Sequence, residues 1–251
     1  MKYIIARLKH HYGTRGVKGV LPALWRGVIF YGISIPYHAL GHVIAMRFRK
    51  PKHPHFSFQG KTYDYFYHPY NFTWNNERII EVPIVEEMIR AAGAKGKSVL
   101  EVGNVISHYY PSTHDVLDKY EEGDGIINED VLTFRSEKRY DLIVSISTME
   151  HVGWDLQEKP EPYKIHESLL NLKKALAAGG EMIITMPLGY NSEMDLRLFS
   201  GELPFDSESF LRRTNRLNRW EEISKEAARG SRYGKPFHAA NTVVLGIIRN
   251  K

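Results

Sequence analysis

Five apolar runs of strand length follow one another between residues 97 and 191, and each is followed by Gly, Asn, Asp or Ser. The segments read KSVLEVGN, HDVLDKYE, GIINEDVLTF, YDLIVSISTMEHVG and GGEMIITMPLGYN. Short β-rich runs that alternate with helix-length connections indicate a parallel sheet with crossover helices. In such sheets ligands bind beyond the carboxyl ends of the strands. The sequence therefore predicts an α/β fold whose ligand site lies among the polar residues that end these runs.

In this order, the same segments resemble the class I S-adenosylmethionine (SAM) dependent methyltransferases. VLEVGN is similar to the family's first motif, and LKKALAAGGEMIITMP is similar to its later helix, Gly-Gly turn and fifth strand. The resemblance implies a Rossmann-like, doubly wound sheet that is mostly parallel with an antiparallel last strand, NTVVLGIIRN. It also implies that the chain binds SAM and transfers its methyl group.

The resemblance assigns two strand-end acids to the adenosine part of the cofactor. Asp118 matches the carboxylate that ends the second strand and accepts both ribose hydroxyls, which suits bidentate, charge-assisted hydrogen bonds. Asp130 matches the residue that contacts the adenine amino group, with the N–H of Val131 beside it. A single Asp at a strand end is more often a cap or a solvated turn residue, but several such positions in the family's order favour the cofactor role.

The first loop departs from the family's pattern, because EVGNVISHYY has one glycine where three are usual. Gly103 and Asn104 can still form a tight turn, since Asn adopts positive φ more readily than most residues. About ten residues separate Gly103 from the second strand, which predicts a very short or irregular first crossover. Glu101 is expected to orient this loop or to meet the cofactor's ammonium group through water, and the carbonyl of Ser147 is expected to face the same ammonium group.

The loop after the fourth strand, STMEHVGWD, carries the candidate catalytic residues Glu150 and His151. Methyl transfer needs an aligned acceptor and, for a hydroxyl, removal of its proton. His151 has a suitable unperturbed pKa of about 6.5. Two alternatives stay open here: Glu150 as a helix-capping residue, and metal binding by Glu150, His151 and Asp155, which we do not favour.

The aromatic segment from Phe56 to Trp74 precedes the first strand and is the candidate acceptor site. A hairpin turn is expected at Gly60, followed by a helix over residues 77–92 with apolar residues at helical spacing. The candidate acceptor-binding residues are Tyr67, His68, Tyr70 and Asn71, with Trp74 close by. The alternative, an aromatic cluster that closes the edge of the sheet, is equally open. The loop SRYGKPFHAA, which contains Tyr233 and His238, is expected near the same face.

Charge is concentrated at the start of the chain. The first 63 residues contain eleven Lys and Arg and no Asp or Glu, although the net charge of all 251 residues is only +5. This region surrounds a stretch of 20 residues, Gly27 to Met46, without a formal charge. Cationic edges around an apolar, Trp- and Tyr-bearing segment favour an interfacial anchor at an anionic membrane surface. A helical arm packed on the domain is the alternative, and a nucleic-acid partner is disfavoured.

These patterns divide the chain into an arm (1–55), an aromatic-rich cap segment (56–77) and a SAM-binding domain (78–251). The absence of cysteine excludes disulfides, thiolate metal sites and a Cys nucleophile. We expect a cytoplasmic enzyme at the membrane periphery that methylates an oxygen of a small-molecule, glycan or lipid-linked acceptor. Two alternatives remain: a domain that binds SAM or a nucleoside without catalysis, and a membrane-associated scaffold with a structural Rossmann core. EVGN lacks the spaced glycines of a dinucleotide fingerprint.

Overall fold

The computed structural model describes residues 55–154 and 161–251. Within them, ten strands are formed: β1 (His55–Phe58), β2 (Lys61–Asp64), β3 (Val99–Val102), β4 (Asp115–Leu117), β5 (Ile126–Ile127), β6 (Tyr140–Ile146), β7 (Leu176–Pro187), β8 (Ser207–Arg213), β9 (Trp220–Ile223) and β10 (Thr242–Arg249). The α-helices are α1 (Arg78–Gly93), α2 (Lys164–Lys173), α3 (Ser192–Ser200) and α4 (Lys225–Ala228). Short 3-10 helices cover Tyr70–Asn75, Ile106–His108 and Met149–His151. The expectations for residues 1–54 lie outside the described residues.

Eight strands form one sheet in the order β5-β4-β3-β6-β7-β10-β8-β9. The first five are parallel, and β10 is antiparallel to both β7 and β8. This is the Rossmann-like sheet with an antiparallel last strand that the sequence predicted. The order reverses between β3 and β6, because the chain runs outward through β4 and β5 and then returns to the other side of β3. Such a switch point opens a crevice at the carboxyl ends of the two strands.

Side chains alternate between the two faces of the sheet, and each face has its own apolar layer. Leu100, Ile143 and Ile184 belong to the layer that also contains the inner faces of α2 and α3. Val144 and Ile183, one residue away, belong to the layer packed against α1 and the β1–β2 hairpin. Period-two alternation with apolar residues on both sides is what a sheet buried on both faces requires.

The β1–β2 hairpin turns at Gln59 and Gly60, whose φ values are 50° and 73°. Positive φ at both central residues is the geometry of the tight turns that match strand twist, so the turn expected at Gly60 is confirmed. Phe56 and Phe58 are buried in the layer beside α1. The start of the aromatic segment is therefore part of the apolar core on one face of the sheet.

Two crossovers differ from the sequence prediction. The connection between β3 and β4 agrees with the prediction: it is short and contains only the 3-10 turn Ile106–His108. The next two, between β4 and β5 and between β5 and β6, contain no α-helix, although helix-length connections were expected. Their sequences, DKYEEGDG and NEDVLTFRSEKR, are too charged to offer an apolar helix face, and Phe134 is their one buried residue. Strand β9 was not predicted; it pairs antiparallel with β8 at the edge of the sheet.

Candidate active site

A cleft opens at the carboxyl ends of β3, β4 and β6, where the strand order reverses. It has a volume of about 80 Å³. Ligand pockets for small molecules usually measure about 300–1,000 Å³, so side chains along this cleft must move apart before a nucleoside can enter. Its lining includes Gly103, Asp118, Lys119, Asp130, Val131, Thr148, His151 and Lys164. Five of these eight were predicted from the sequence; Lys119, Thr148 and Lys164 were not.

Gly103 makes the turn that brings the first loop against the loop after β6. Its φ is +85°, and a Cβ on it would lie 2.2 Å from the Thr148 Oγ1 atom. Its N–H donates to the carbonyl of Leu117 at 2.8 Å. Glycine is required here for both its φ and its lack of a side chain. Asn104 does not adopt a positive φ, so the tight turn depends on Gly103 alone.

Glu101 holds the first loop in place through hydrogen bonds and does not line the cleft. Its carboxylate is fully buried and accepts the N–H groups of Val105 and Ile106 at 2.8 and 2.7 Å. The second carboxylate oxygen lies 2.7 Å from Nε2 of His114. These contacts fit the expected role of Glu101 in orienting the loop.

Asp118 ends β4 and faces the cleft. Its Oδ1 accepts the N–H groups of Tyr120 and Glu121, both at 2.8 Å. Its Oδ2 accepts the Asn104 N–H at 3.2 Å. Because a carboxylate offers about four lone-pair positions, Oδ2 retains capacity for further donors. The side chain is thus fixed in direction and still able to accept hydroxyl groups.

Asp130 lies across the cleft from the first loop, between two lysines. Its Oδ1 accepts the Leu132 N–H at 2.9 Å, and its Oδ2 lies 3.2 Å from Lys119 Nζ and 3.6 Å from Lys164 Nζ. Burial alone would raise the pKa of Asp130, but the Leu132 N–H and the two ammonium groups together lower it. Among residues 55–154 and 161–251, the neighbouring Val131 N–H has no hydrogen-bond acceptor. A carboxylate beside an unused N–H matches the donor and acceptor pattern of an adenine edge.

His151 connects the cleft with a second polar region. It ends the 3-10 turn Met149–His151, its side chain is 44% exposed, and its Nδ1 lies 3.1 Å from the Tyr190 hydroxyl. Its Nε2 lies 3.8 Å from Oε1 of Glu150. The ring of Tyr233 meets that of Tyr190 edge-on at 5.2 Å. The loop containing Tyr233 therefore does reach this face, as predicted.

Glu150 is buried, and few hydrogen bonds offset the cost of removing its carboxylate from water. It is 2% exposed, and within the described part of the chain its Oε2 has no hydrogen-bond partner. Burial raises its pKa well above the ordinary value, although its own backbone N–H and Arg78 act in the opposite direction. The N-cap of the turn is Thr148 rather than Glu150. The geometry therefore gives no support to the capping alternative.

A buried charged cluster adjoins Glu150, and sequence reasoning missed it. Arg78 Nη1 lies 2.6 Å from Oε2 of Glu81, whose Oε1 accepts the Ser147 hydroxyl at 2.6 Å. Glu77 Oε2 accepts the Ala240 N–H at 3.1 Å. Burial alone would lower the pKa of Arg78, but the surrounding carboxylates raise it. We call Glu77, Arg78, Glu81 and Glu150 the buried charged cluster.

Ser147 joins this cluster rather than lining the cleft. Its φ is 38°, a strained conformation for a residue with a side chain, which costs on the order of 1–3 kcal/mol. Its carbonyl lies 3.4 Å from Arg78 Nη2. The predicted contact of this carbonyl with the cofactor's ammonium therefore competes with Arg78. The only sequence signal for the cluster was the i,i+3 spacing of Arg78 and Glu81, which is common on exposed helix faces.

The four candidate acceptor-binding residues do not all lie in one place. Tyr70 stacks on His108 with ring centroids 4.5 Å apart and meets Tyr109 edge-on at 5.5 Å. His68 also meets Tyr109, at 5.2 Å. Burial raises the pKa of Tyr109 to about 12. Asn71, with φ 53°, lies in the same 3-10 segment as Tyr70.

Tyr67 has a different neighbour, Arg219 near the start of β9. Burial raises the pKa of Tyr67, and the Arg219 guanidinium partly offsets that effect. Three of the four residues thus lie in or beside one aromatic cluster with Tyr109, and Tyr67 faces another side chain.

The metal-binding alternative depends on Asp155, which lies outside the described residues. Across residues 55–154 and 161–251, no group of three or more His, Asp and Glu side chains is placed to hold a metal ion. In the same part of the chain, no helix is both long and apolar enough to cross a bilayer.

No protein-family model matches the sequence, and no curated protein matches it either. Among solved structures, the chain is similar to the N-methyltransferase NodS of Bradyrhizobium japonicum WM9 bound to S-adenosyl-L-homocysteine. The identity is 13%, the likeness covers 68% of this chain and 87% of that one, and the TM-score is 0.42. It is also similar to a SAM-dependent methyltransferase of Thermotoga maritima described as a possible histamine N-methyltransferase (11% identity, 67% and 96% covered, TM-score 0.39).

A third similar structure is a SAM-dependent methyltransferase of Clostridium acetobutylicum, at 10% identity, with 86% of this chain and 99% of that one covered and a TM-score of 0.37. Identities and scores this low leave activity open. The Rossmann-like fold of the chain is established by its own strand order and register.

Proposed function

We propose that this protein is a SAM-dependent methyltransferase. The observation that carries the proposal is the meeting of Asp118, Asp130 and Gly103 in one cleft at the switch point of the sheet. The three residues end or follow different strands, and each contributes what a bound nucleoside needs there. Asp118 offers a free acceptor position for the ribose hydroxyls. Asp130 and the unused Val131 N–H offer an acceptor and a donor for the adenine edge.

The first loop fits the cofactor despite its single glycine. Gly103 brings the backbone close to the cleft, and Glu101 holds the following turn in place through the N–H groups of Val105 and Ile106. When bound, SAM supplies a methyl group on a positively charged sulfur, which needs no further activation. The protein then has to bind the acceptor, align it and remove its proton.

His151 is the residue that we propose takes that proton. If its Nδ1–H donates to the Tyr190 hydroxyl, Nε2 is the unprotonated nitrogen of the neutral ring and is able to accept a proton. A proton accepted at Nε2 would be stabilised by the carboxylate of Glu150, 3.8 Å away. This arrangement supports an acceptor hydroxyl, as in a small molecule, a glycan or a lipid-linked sugar. Tyr70 and Asn71, beside the Tyr109 cluster, are proposed to contact the remainder of the acceptor.

For the N-terminal arm, we propose attachment to an anionic membrane surface at the cytoplasmic side. Its support is the charge pattern of the first 63 residues. Each Lys or Arg near an anionic surface contributes roughly 1 kcal/mol, and apolar insertion adds a salt-resistant part. The full chain should pellet with phosphatidylserine vesicles, less so at high salt, and lose most binding without residues 1–55. A full chain that stays in the supernatant at low salt would contradict this attachment.

Calorimetric titration of SAM tests the methyltransferase proposal. Wild-type protein should bind SAM, and Asp118→Ala should weaken binding by on the order of 2–4 kcal/mol through loss of charge-assisted hydrogen bonds. Asp124→Ala removes an exposed carboxylate from the same loop and should bind like wild type. Failure of the wild type to bind SAM would overturn the proposal. Equal affinity of all three proteins would overturn only the ribose assignment.

A further inference from the structure

A wide groove lies at the same sheet edge as the cleft, beyond the ends of β8 and the start of β10. Its volume is about 620 Å³, within the range of pockets for small molecules. Its charged lining consists of five cationic residues and one acidic residue: Arg212, Arg213, Arg229, Arg232, Lys235 and Glu221. The groove thus concentrates positive charge in a concave surface.

Within the described part of the chain, the cations of this groove form no ion pair with a carboxylate; Arg212 and Arg229 donate instead to the carbonyls of Ala227 and Phe199. Other surface cations are paired, such as Lys138 with Asp115 at 2.7 Å and Lys225 with Glu208 at 2.5 Å. Across the described part of the chain, no carboxylate lies within 4.0 Å of any of the five cationic side chains of the groove. Clustered like charges repel each other, and a concave wall focuses their potential on an incoming anion.

The wall of the groove is fixed by hydrogen bonds. Arg213 is buried, and its Nη1 donates to the carbonyls of Asn75 and His238, both at 3.0 Å. Asn241 holds the facing loop through its Nδ2, which donates to the carbonyl of Phe237 at 2.9 Å, and its Oδ1, which accepts the Phe237 N–H at 3.0 Å. Arg232 and Lys235 are carried on this loop and are exposed. The positive charge is therefore held on a pre-formed surface.

We propose that this groove binds a phosphate-bearing ligand, with a diphosphate as the group whose charge suits the two exposed cations Arg232 and Lys235, three residues apart on one loop of the groove. Guanidinium groups present paired N–H donors that match phosphate oxygens, and lysine adds a mobile point charge. The groove and the candidate active site share a loop: Tyr233, which follows Arg232, contacts Tyr190 beside His151. The assignment of this phosphate to the methyl acceptor rests on the proposed function, whereas phosphate binding itself does not.

Calorimetric titration of the full chain with inorganic pyrophosphate at low salt tests the groove. Wild-type protein should bind it saturably, and R232E/K235E should bind it at least about tenfold more weakly, because two charge-assisted contacts become repulsive. K95E/K174E is the matched control: both lysines are exposed, lie at the opposite edge of the sheet and change the net charge equally. Circular dichroism should show that both variants are folded.

Equal affinity of the two variants for pyrophosphate, or no saturable binding by wild type, would overturn the groove proposal. Because the titration contains no SAM, its result is independent of whether the chain binds SAM. Pelleting with phosphatidylcholine vesicles that contain phosphatidic acid then identifies the source of the phosphate. Weaker pelleting of R232E/K235E than of K95E/K174E assigns the groove to a lipid headgroup, and equal pelleting assigns it to a soluble phosphate ester.

Discussion

The cleft and the buried charged cluster lie side by side, yet they are built in different ways. The acids of the cleft, Asp118 and Asp130, are partly exposed and held by the N–H groups of their own turns. The cluster draws on α1, on the 3-10 turn after β6 and on long-range contacts such as that between Glu77 and Ala240. The cleft depends on local turns, and the cluster depends on tertiary packing.

This difference predicts different responses to substitution. A carboxylate that is partly exposed can lose one partner at modest cost, because water replaces it. A buried charge whose partner is removed retains its desolvation cost, which makes the cluster the region most sensitive to loss of a single group. Changes in the cluster should therefore act on folding, and changes in the cleft should act on ligand binding.

Arg78→Met should have the largest effect on stability. It leaves the buried Glu81 without its 2.6 Å partner and removes the cation that faces Glu77 and Glu150. The expected loss in the free energy of unfolding is about 3–5 kcal/mol, measured by urea denaturation. Arg90→Met, on the exposed face of the same helix with Glu86 at 3.5 Å, should cost at most about 1 kcal/mol. Similar losses for both variants would contradict the claim that the buried charged cluster is more sensitive to the loss of one charge than an exposed ion pair is.

Gly103→Ala tests the cleft. A Cβ there would collide with Thr148 at 2.2 Å, and φ is +85°. Positive φ costs about 1–2 kcal/mol and overpacking adds about 1–3 kcal/mol, and SAM binding should be lost. Gly125→Ala has a similar φ of +80° but no atom within 4 Å, so only the first cost applies and SAM should still bind. If both variants bind SAM equally, the contact between the first loop and Thr148 does not shape the site.

Glu150→Gln should change how stability depends on pH. Burial raises the pKa of Glu150 in the folded protein above the ordinary value of 4.5. A group with a raised folded pKa stabilises fully below its unfolded pKa, and that stabilisation is lost as pH rises through the folded pKa. Wild type should therefore lose stability above about pH 4.5.

The Gln variant should lack part of this loss and be more stable than wild type at pH 8. Thermal denaturation from pH 4 to pH 8 provides the measurement. Glu122→Gln, at an exposed carboxylate, should leave the wild-type profile unchanged. If the stability of wild type and of Glu150→Gln changes with pH in the same way, burial of the Glu150 carboxylate does not destabilise the fold.

The residues that the sequence identified are those whose signal is local. A strand that ends in an acid, a glycine before a turn and a polar pair after β6 can all be seen within a few positions, which is why Gly103, Asp118 and His151 were found together. The parallel strands were indicated by apolar runs, and the antiparallel β10 was implied by the resemblance to the class I methyltransferases.

The features that sequence reasoning missed depend on distant residues. Nothing near Arg78 and Glu81 indicates that the sheet and the loop after β6 will bury them, because an i,i+3 pair of opposite charges is typical of exposed helices. The two crossover helices were predicted but do not form. The spacing of the strands indicated helices, but the charged connections have no apolar face that a helix could bury. Lys119 and Lys164 reach Asp130 from separate elements, which no local pattern encodes.

A crystal structure with S-adenosyl-L-homocysteine tests the central claim most directly, namely that the switch-point cleft binds the cofactor. The Asp118 carboxylate should lie within about 2.5–3.2 Å of both ribose hydroxyls, and Asp130 with the Val131 N–H should face the adenine edge. Lys119, the more exposed of the two lysines, should move away from Asp130 to admit the base. A nucleoside bound elsewhere, or a ribose directed away from Asp118, would contradict the claim.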